Sequence, residues 1–330
     1  MTLAKPAPIE TNPLAISDVP VPVPGPHEIL VRVRTCGVCR TDLHVCEGDL
    51  PQKHTGIVPG HEVVGVVERL GPECTRFAAG ARVGIAWLRE TCGTCVYCRK
   101  GRENLCPNAR FTGWDHDGGY AEYATVREEF AYAIPDAVDD EHAAPLLCAG
   151  IIGFRAIKRA AVVPGMTVGL YGFGGSAHLA TQVLKYWKCR VFVMSRGGLH
   201  RDLATHLGVD WVGSASDRPP ALLDAAILFA PAGELVVPAM QALDRGGILA
   251  VAGIYLTPIP SLDYERDLFY EKELRSVTAN TRADGEEFLR IAGEIPIESS
   301  TMGMPLADAN RALNMLKHDE IRGAAVLHVS

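Results

Sequence analysis

The chain has 330 residues, 48% of them apolar and 22% charged, the balance of a globular protein with more length than one hydrophobic core usually serves. Its 32 Lys+Arg against 39 Asp+Glu leave a formal charge of −7, which argues against a nucleic-acid partner. No run of about 18 uninterrupted apolar residues exists, which argues against a transmembrane helix and a membrane partner.

The N-terminal stretch MTLAKPAPIETNPLAI lacks the apolar core of a signal peptide, so a cytoplasmic location is expected. In a reducing compartment, ten cysteines point to metal binding or catalysis before disulfides. Pro20, Pro22, Pro24 and Pro26 form an extended connector that leads into an alternating strand, Ile29 to Val33. Next come CGVCRTDLH at 36–44 and GHEVVGVVERLG at 60–71. These cysteines and histidines suggest one metal site, although spacing alone does not choose among Cys36, Cys39, His44, Cys46, His54 and His61. Short β-like runs, Val63 to Val67 and Tyr120 to Val126 among them, make the region up to about 135 a β-rich domain.

Within it lies CGTCVYCRKGRENLC, a C-x2-C-x2-C-x7-C array of Cys92, Cys95, Cys98 and Cys106. Four thiolates this close can enclose one tetrahedral Zn²⁺ with no open position. A ferredoxin-type cluster needs a three-residue last gap, and seven residues separate Cys98 from Cys106, so structural zinc is the expectation.

From about residue 148 the pattern changes to α/β. A helical stretch, Ala149 to Ala160, precedes the apolar strand Thr167 to Tyr171, and the helix-like run Ala177 to Lys188 precedes another strand, Val191 to Met194. Ala225 to Phe229 and Ile248 to Ala252 are further strands of a doubly wound parallel sheet. Between the first strand and its helix stands GFGGSAH, in which Gly172, Gly174, Gly175 and Ala177 give a G-x-G-x-x-A turn for a dinucleotide pyrophosphate. Where NAD-binding turns of this kind place an acid about 20 residues on, this chain has Ser195 and then Arg196. Loss of the carboxylate removes a repulsion against a 2′-phosphate and Arg196 could pair with it, so NADP(H) is expected over NAD(H).

Taken in order, GVCRTDLH, GHE-x2-G-x5-G, the four-cysteine loop and GFGGSAH resemble the zinc-dependent medium-chain alcohol dehydrogenases, and VGIAWLRETCGTCVYC most resembles the yeast-type and bacterial branch. The resemblance covers most of the chain, through the closing IRGAAVL. It implies a GroES-like β-rich catalytic domain at 1–148 and 286–330 around a Rossmann domain at 149–285. It also implies a catalytic zinc held by Cys39, His61 and Cys148, with Glu62 as an occasional ligand and Asp42 orienting His61. Thr41 and His44 take the roles of a proton relay, Arg40 and Arg322 those of pyrophosphate contacts, and Trp87 that of a pocket wall favouring slim substrates. Two zinc ions per chain and a homodimer or homotetramer follow from the same resemblance. So does reversible hydride transfer between NADP(H), or NAD(H), and small to medium primary alcohols and aldehydes. A polyol or aromatic-aldehyde reductase of the same superfamily is the alternative activity, and a non-catalytic nucleotide-binding redox sensor is the alternative of another class. Cys36 matches a non-ligand position, and Cys46, Cys74 and Cys189 read as ordinary thiols.

Overall fold

The computed structural model describes residues 1–215 and 217–329. The chain separates into two compact units, one of Met1–Cys148 with Ala279–Ser330 and one of Ala149–Thr278.

The first unit is built on a sheet whose strands run, in spatial order, Thr301–Pro305, Ala324–His328, Glu28–Val38, Glu62–Leu70, Arg82–Ile85 and Ala131–Ala133, with Tyr123–Arg127 pairing to Glu28–Val38. The strand Glu28–Val38 is central and carries inward Ile29, Val31 and Val33, all essentially buried. Alternation fails after Val33, where the register shifts between Val33 and Thr35, and the strand runs on through the buried Cys36-Gly37-Val38. The sequence pattern therefore shows only its first half. The prolines near residue 20 lie in irregular, exposed chain, with Val23 80% accessible, as an extended connector requires.

One buried charge ties this sheet to the loop that carries the four cysteines. Arg89 is 3% exposed, and its guanidinium donates to Glu28 Oε1 at 2.9 Å, to Thr125 Oγ1 at 3.1 Å and to the Thr125 carbonyl. It joins the short strand Leu88–Glu90 to the start of the central strand and to Tyr123–Arg127.

The second unit is a six-stranded sheet, parallel throughout, in the spatial order Trp211–Gly213, Arg190–Met194, Thr167–Tyr171, Leu223–Leu228, Leu243–Val251, Glu273–Ser276. Numbered by sequence this is 3-2-1-4-5-6, the order of dinucleotide-binding sheets, which places the binding crevice at the carboxyl end of the first strand. On one face Val168, Leu170, Val191, Val193, Ala225 and Ile227 are buried, and on the other Phe192 and Ala226, as strands covered on both faces require. Among the described residues, no helix is long and apolar enough to cross a membrane.

Replacement of Arg89 by Ala strands Glu28 and should lower stability by about 3 kcal/mol, the low end for a broken buried pair because Glu28 keeps a quarter of its side chain accessible. Urea unfolding should show the midpoint fall, and the double variant Arg89→Met/Glu28→Gln should lose less than Arg89→Ala.

Candidate metal centres and nucleotide turn

Cys39 stands just ahead of the helix Arg40–Glu47 and cannot drift from it, because its N–H donates to Asp42 Oδ2 at 2.9 Å. The other oxygen of Asp42 accepts the Gly60 N–H at 3.2 Å and lies 2.8 Å from His61 Nδ1. Asp42 is 1% exposed and His61 fully buried. Since a buried carboxylate accepts, Nδ1 carries the proton and Nε2 presents a lone pair. That Nε2 is buried with no hydrogen-bond partner.

The orphaned nitrogen belongs to a cluster. One donor atom each from Cys39, His61, Glu62 and Cys148 lie within 4.8 Å of one another, and the two sulfurs are 3.7 Å apart. The Cys39 thiol is held well below its usual range, first by the Cys148 thiol donating to it, against the effect of burial. Cys148 is pushed up by giving that proton, and burial adds to the rise. Burial and the Cys39 charge raise Glu62 as well. Two sulfurs, an imidazole nitrogen and a carboxylate thus converge on one point. A divalent cation fits that donor set, and its chemistry is that of zinc.

The second cluster is Cys92, Cys95, Cys98 and Cys106, whose sulfurs also lie within 4.8 Å of one another. Cys95–Cys98 is 3.4 Å, Cys92–Cys106 3.5 Å and Cys92–Cys98 4.0 Å. A regular tetrahedron with Zn–S near 2.3 Å has edges of about 3.8 Å, so these sulfurs are already spaced to close on one ion. The backbone is arranged for thiolates: the Cys95 N–H points at Cys92 Sγ at 3.3 Å and the Cys98 N–H at Cys95 Sγ at 3.5 Å. The N–H groups of Thr94 and Cys95 bring Cys92 down to about 6, whereas desolvation first of all carries Cys98 up to about 11.

Around the first cluster, Thr41 is 8% exposed with Oγ1 3.9 Å from Cys39 Sγ. His44, 30% exposed, has Nδ1 2.7 Å from Asp49 Oδ2. Arg40 pairs with Asp319 at 2.6 Å at the surface, and Arg322 is exposed just before the last strand. Cys36, Cys46 and Cys189 are buried and Cys74 half-buried, all as free thiols.

Trp87 meets the His61 ring edge-on at 5.1 Å between centroids. It stacks on Phe111 at 4.9 Å and on Trp114 at 6.1 Å, and Lys53 Nζ lies 4.4 Å over the Trp114 ring. Thr112 sets this layer, with its N–H to the Trp87 carbonyl and its hydroxyl to Ala86 O. Sequence reading singled out Trp87 and passed over Phe111 and Trp114. The available signal was FTGW, two aromatics directly downstream of the four-cysteine loop.

In the second unit, Gly172 directly follows the first strand at φ +88°, and a Cβ there would lie 2.8 Å from the Ala230 nitrogen, so the turn requires glycine. Gly174 caps the helix Gly175–Tyr186 without a side chain to satisfy the first N–H groups, and the space beside it is open. Ala177 is fully buried, and its methyl is accommodated where the third glycine often stands. Ser195 is 5% exposed with its N–H on the Gly213 carbonyl at 3.0 Å, and Arg196 is exposed. From Ser195 to Arg201 the chain has no acid and carries Arg196, His200 and Arg201.

Comparison with known proteins agrees with this geometry. Residues 25–136 match the family described as "Alcohol dehydrogenase GroES-like domain". The chain is 55% identical over 328 residues to "Probable alcohol dehydrogenase AdhA" of Mycobacterium tuberculosis, covering 98% of this chain and 95% of that protein. It is 35% identical to an alcohol dehydrogenase of Geobacillus stearothermophilus, covering 96% and 97%. A solved structure of cobalt- and zinc-bound thermostable alcohol dehydrogenase from Pyrobaculum aerophilum superposes with a TM-score of 0.87 at 27% identity, over 99% of this chain and 98% of that one. With two metal-type clusters and a nucleotide-type turn on the expected scaffold, the chain belongs to the zinc-dependent medium-chain alcohol dehydrogenases, NAD(P)-dependent oxidoreductases.

Proposed function

We propose that this alcohol dehydrogenase interconverts small to medium primary alcohols and their aldehydes with NADP(H) preferred over NAD(H), as a homodimer or homotetramer. The observation that carries the catalytic reading is the orphaned, buried His61 Nε2 facing two cysteine sulfurs. Cys39, His61 and Cys148 hold the catalytic zinc, with Glu62 able to approach it, and Cys92, Cys95, Cys98 and Cys106 hold the structural one. Bound zinc contributes Lewis acidity that lowers the pKa of an alcohol hydroxyl, and the nicotinamide cofactor takes up the hydride.

The chain's own residues do the rest. Asp42 keeps the Nδ1 proton on His61 so that Nε2 stays a donor atom. Thr41, beside Cys39, acts as a relay, accepting the alcohol's proton at Oγ1 as it gives up its own hydroxyl proton toward His44, whose partly exposed ring releases a proton to solvent. Trp87 and the rings stacked behind it form an apolar wall that keeps water from His61 and favours slim, unbranched substrates. Gly172, Gly174, Gly175 and Ala177 present backbone N–H groups to the pyrophosphate. Ser195 leaves room for a 2′-phosphate and Arg196 pairs with it, a reading supported by the absence of any acid through Arg201.

Steady-state rates with aldehydes of graded width and with both cofactors test this directly. Cys39→Ser should cut turnover by about a thousandfold or more, the several kcal/mol that a Lewis acid contributes, while NADPH still binds by fluorescence titration. Undiminished turnover would refute the ligand assignment. Cys98→Ser should leave one zinc per chain in place of two by elemental analysis and lower the melting temperature; two zincs retained would remove the structural site. Arg196→Ala should raise the KM for NADPH by about tenfold, the value of one charge-assisted hydrogen bond, and barely change that for NADH. Equal changes would mean that Arg196 does not read the phosphate.

A further inference from the structure

Gly37 is the penultimate residue of the central strand and is paired on both sides, directly opposite Glu62 in one antiparallel neighbour and Val326 in the other. A glycine weakens a strand interior and is not expected there without a reason. Its backbone supplies none, since it is not among the residues with left-handed φ. Space supplies one. A Cβ built on Gly37 would overlap Glu62 Oε2, and would come within 2.8 Å of Glu62 Cδ and 3.0 Å of its Cβ. Directly opposed Cβ atoms in antiparallel strands ordinarily stand about 4.5–5.5 Å apart. The Glu62 side chain therefore occupies the volume that any other residue at 37 would fill.

That volume matters because of where the carboxylate ends. Glu62 is 4% exposed, and one of its oxygens lies within 4.8 Å of the donor atoms of Cys39, His61 and Cys148. No ion pair to Glu62 occurs among the described residues, and its buried carboxylate is folded back over the partner strand toward the metal-type cluster.

We propose that Gly37 is a positioning residue for the catalytic metal: its missing side chain is the recess that lets the Glu62 carboxylate reach the donor cluster. The proposal rests on the reading of Glu62 as a group that approaches the metal when other ligands leave. Any side chain at 37 expels the carboxylate from the recess and leaves Cys39, His61 and Cys148 as the remaining donors. Gly37 thus governs how readily metal is exchanged, through Glu62 alone.

The test measures zinc transfer from the loaded enzyme to a chromogenic chelator for wild type, Gly37→Ala, Glu62→Ala and the double variant. The slow release from the four-cysteine site serves as an internal control. Gly37→Ala should slow release from the catalytic site about tenfold, Glu62→Ala should slow it equally, and the double variant should show no further slowing. Because Glu62→Ala removes the overlapping carboxylate, the double variant should also melt at or above the temperature of Gly37→Ala. If Glu62→Ala slows release and Gly37→Ala does not, the recess is not needed and the proposal falls while the Glu62 reading stands. Additive effects, or an altered four-cysteine phase in Gly37→Ala, would make Gly37 a general packing residue and equally overturn it. Wild-type release from Glu62→Ala would overturn the Glu62 reading and the proposal together.

Discussion

The catalytic half of the molecule depends on one buried carboxylate. Asp42 holds the N–H of Cys39, the N–H of Gly60 and Nδ1 of His61, three groups from two separate segments. A carboxylate that accepts several hydrogen bonds can be buried at a tolerable cost. In return it fixes where the first sulfur stands and which imidazole nitrogen is left bare. The cluster is accordingly prearranged: its sulfur spacing, its bare nitrogen and the shared proton of Cys39 and Cys148 are properties of the chain. The four-cysteine loop reaches the same end by other means, with backbone N–H groups turned toward the sulfurs in place of a carboxylate.

The second unit solves a different problem, a close approach between backbone and ligand. All-parallel pairing directs the strand ends to one side of the sheet, and the order 3-2-1-4-5-6 opens the crevice beside the first of them. Gly172 turns the chain where Ala230 leaves no room for a side chain, and Gly174 leaves the start of the helix bare. At the end of the next strand Ser195 and Arg196 stand without a neighbouring acid.

Much of this was legible in the sequence because the motifs are local. Four cysteines within fifteen residues and a glycine turn between strand and helix announce their chemistry through spacing alone. The catalytic cluster was not legible in that way. Cys39, His61 and Cys148 are scattered, six cysteines and histidines compete as candidates, and only the family resemblance selected among them. The aromatic layer was half seen, since a stack such as Trp87 on Phe111 and Trp114 depends on the pairing of two short strands that no periodicity reveals. The central strand was seen only to Val33, because a shift in register and a glycine interrupt the alternation that marks a strand. The short edge strand Glu273–Ser276 carries Glu, Arg and Ser and has no apolar pattern to be read.

The pairing of the central strand has a consequence for the order in which the protein is made. Thr35 to Val38, the residues leading into Cys39, are bonded on one side to Ala325 to His328. Synthesis of the chain between Val38 and Ala324 takes on the order of 15–60 s at ribosomal speeds of about 5–20 residues per second. Over that interval the contiguous unit Ala149–Thr278 can complete its sheet, whereas the unit that bears both cysteine clusters still lacks a strand. The donor cluster of Cys39, His61, Glu62 and Cys148 consequently reaches its finished geometry only with the arrival of the last strand, well after the residues themselves are translated.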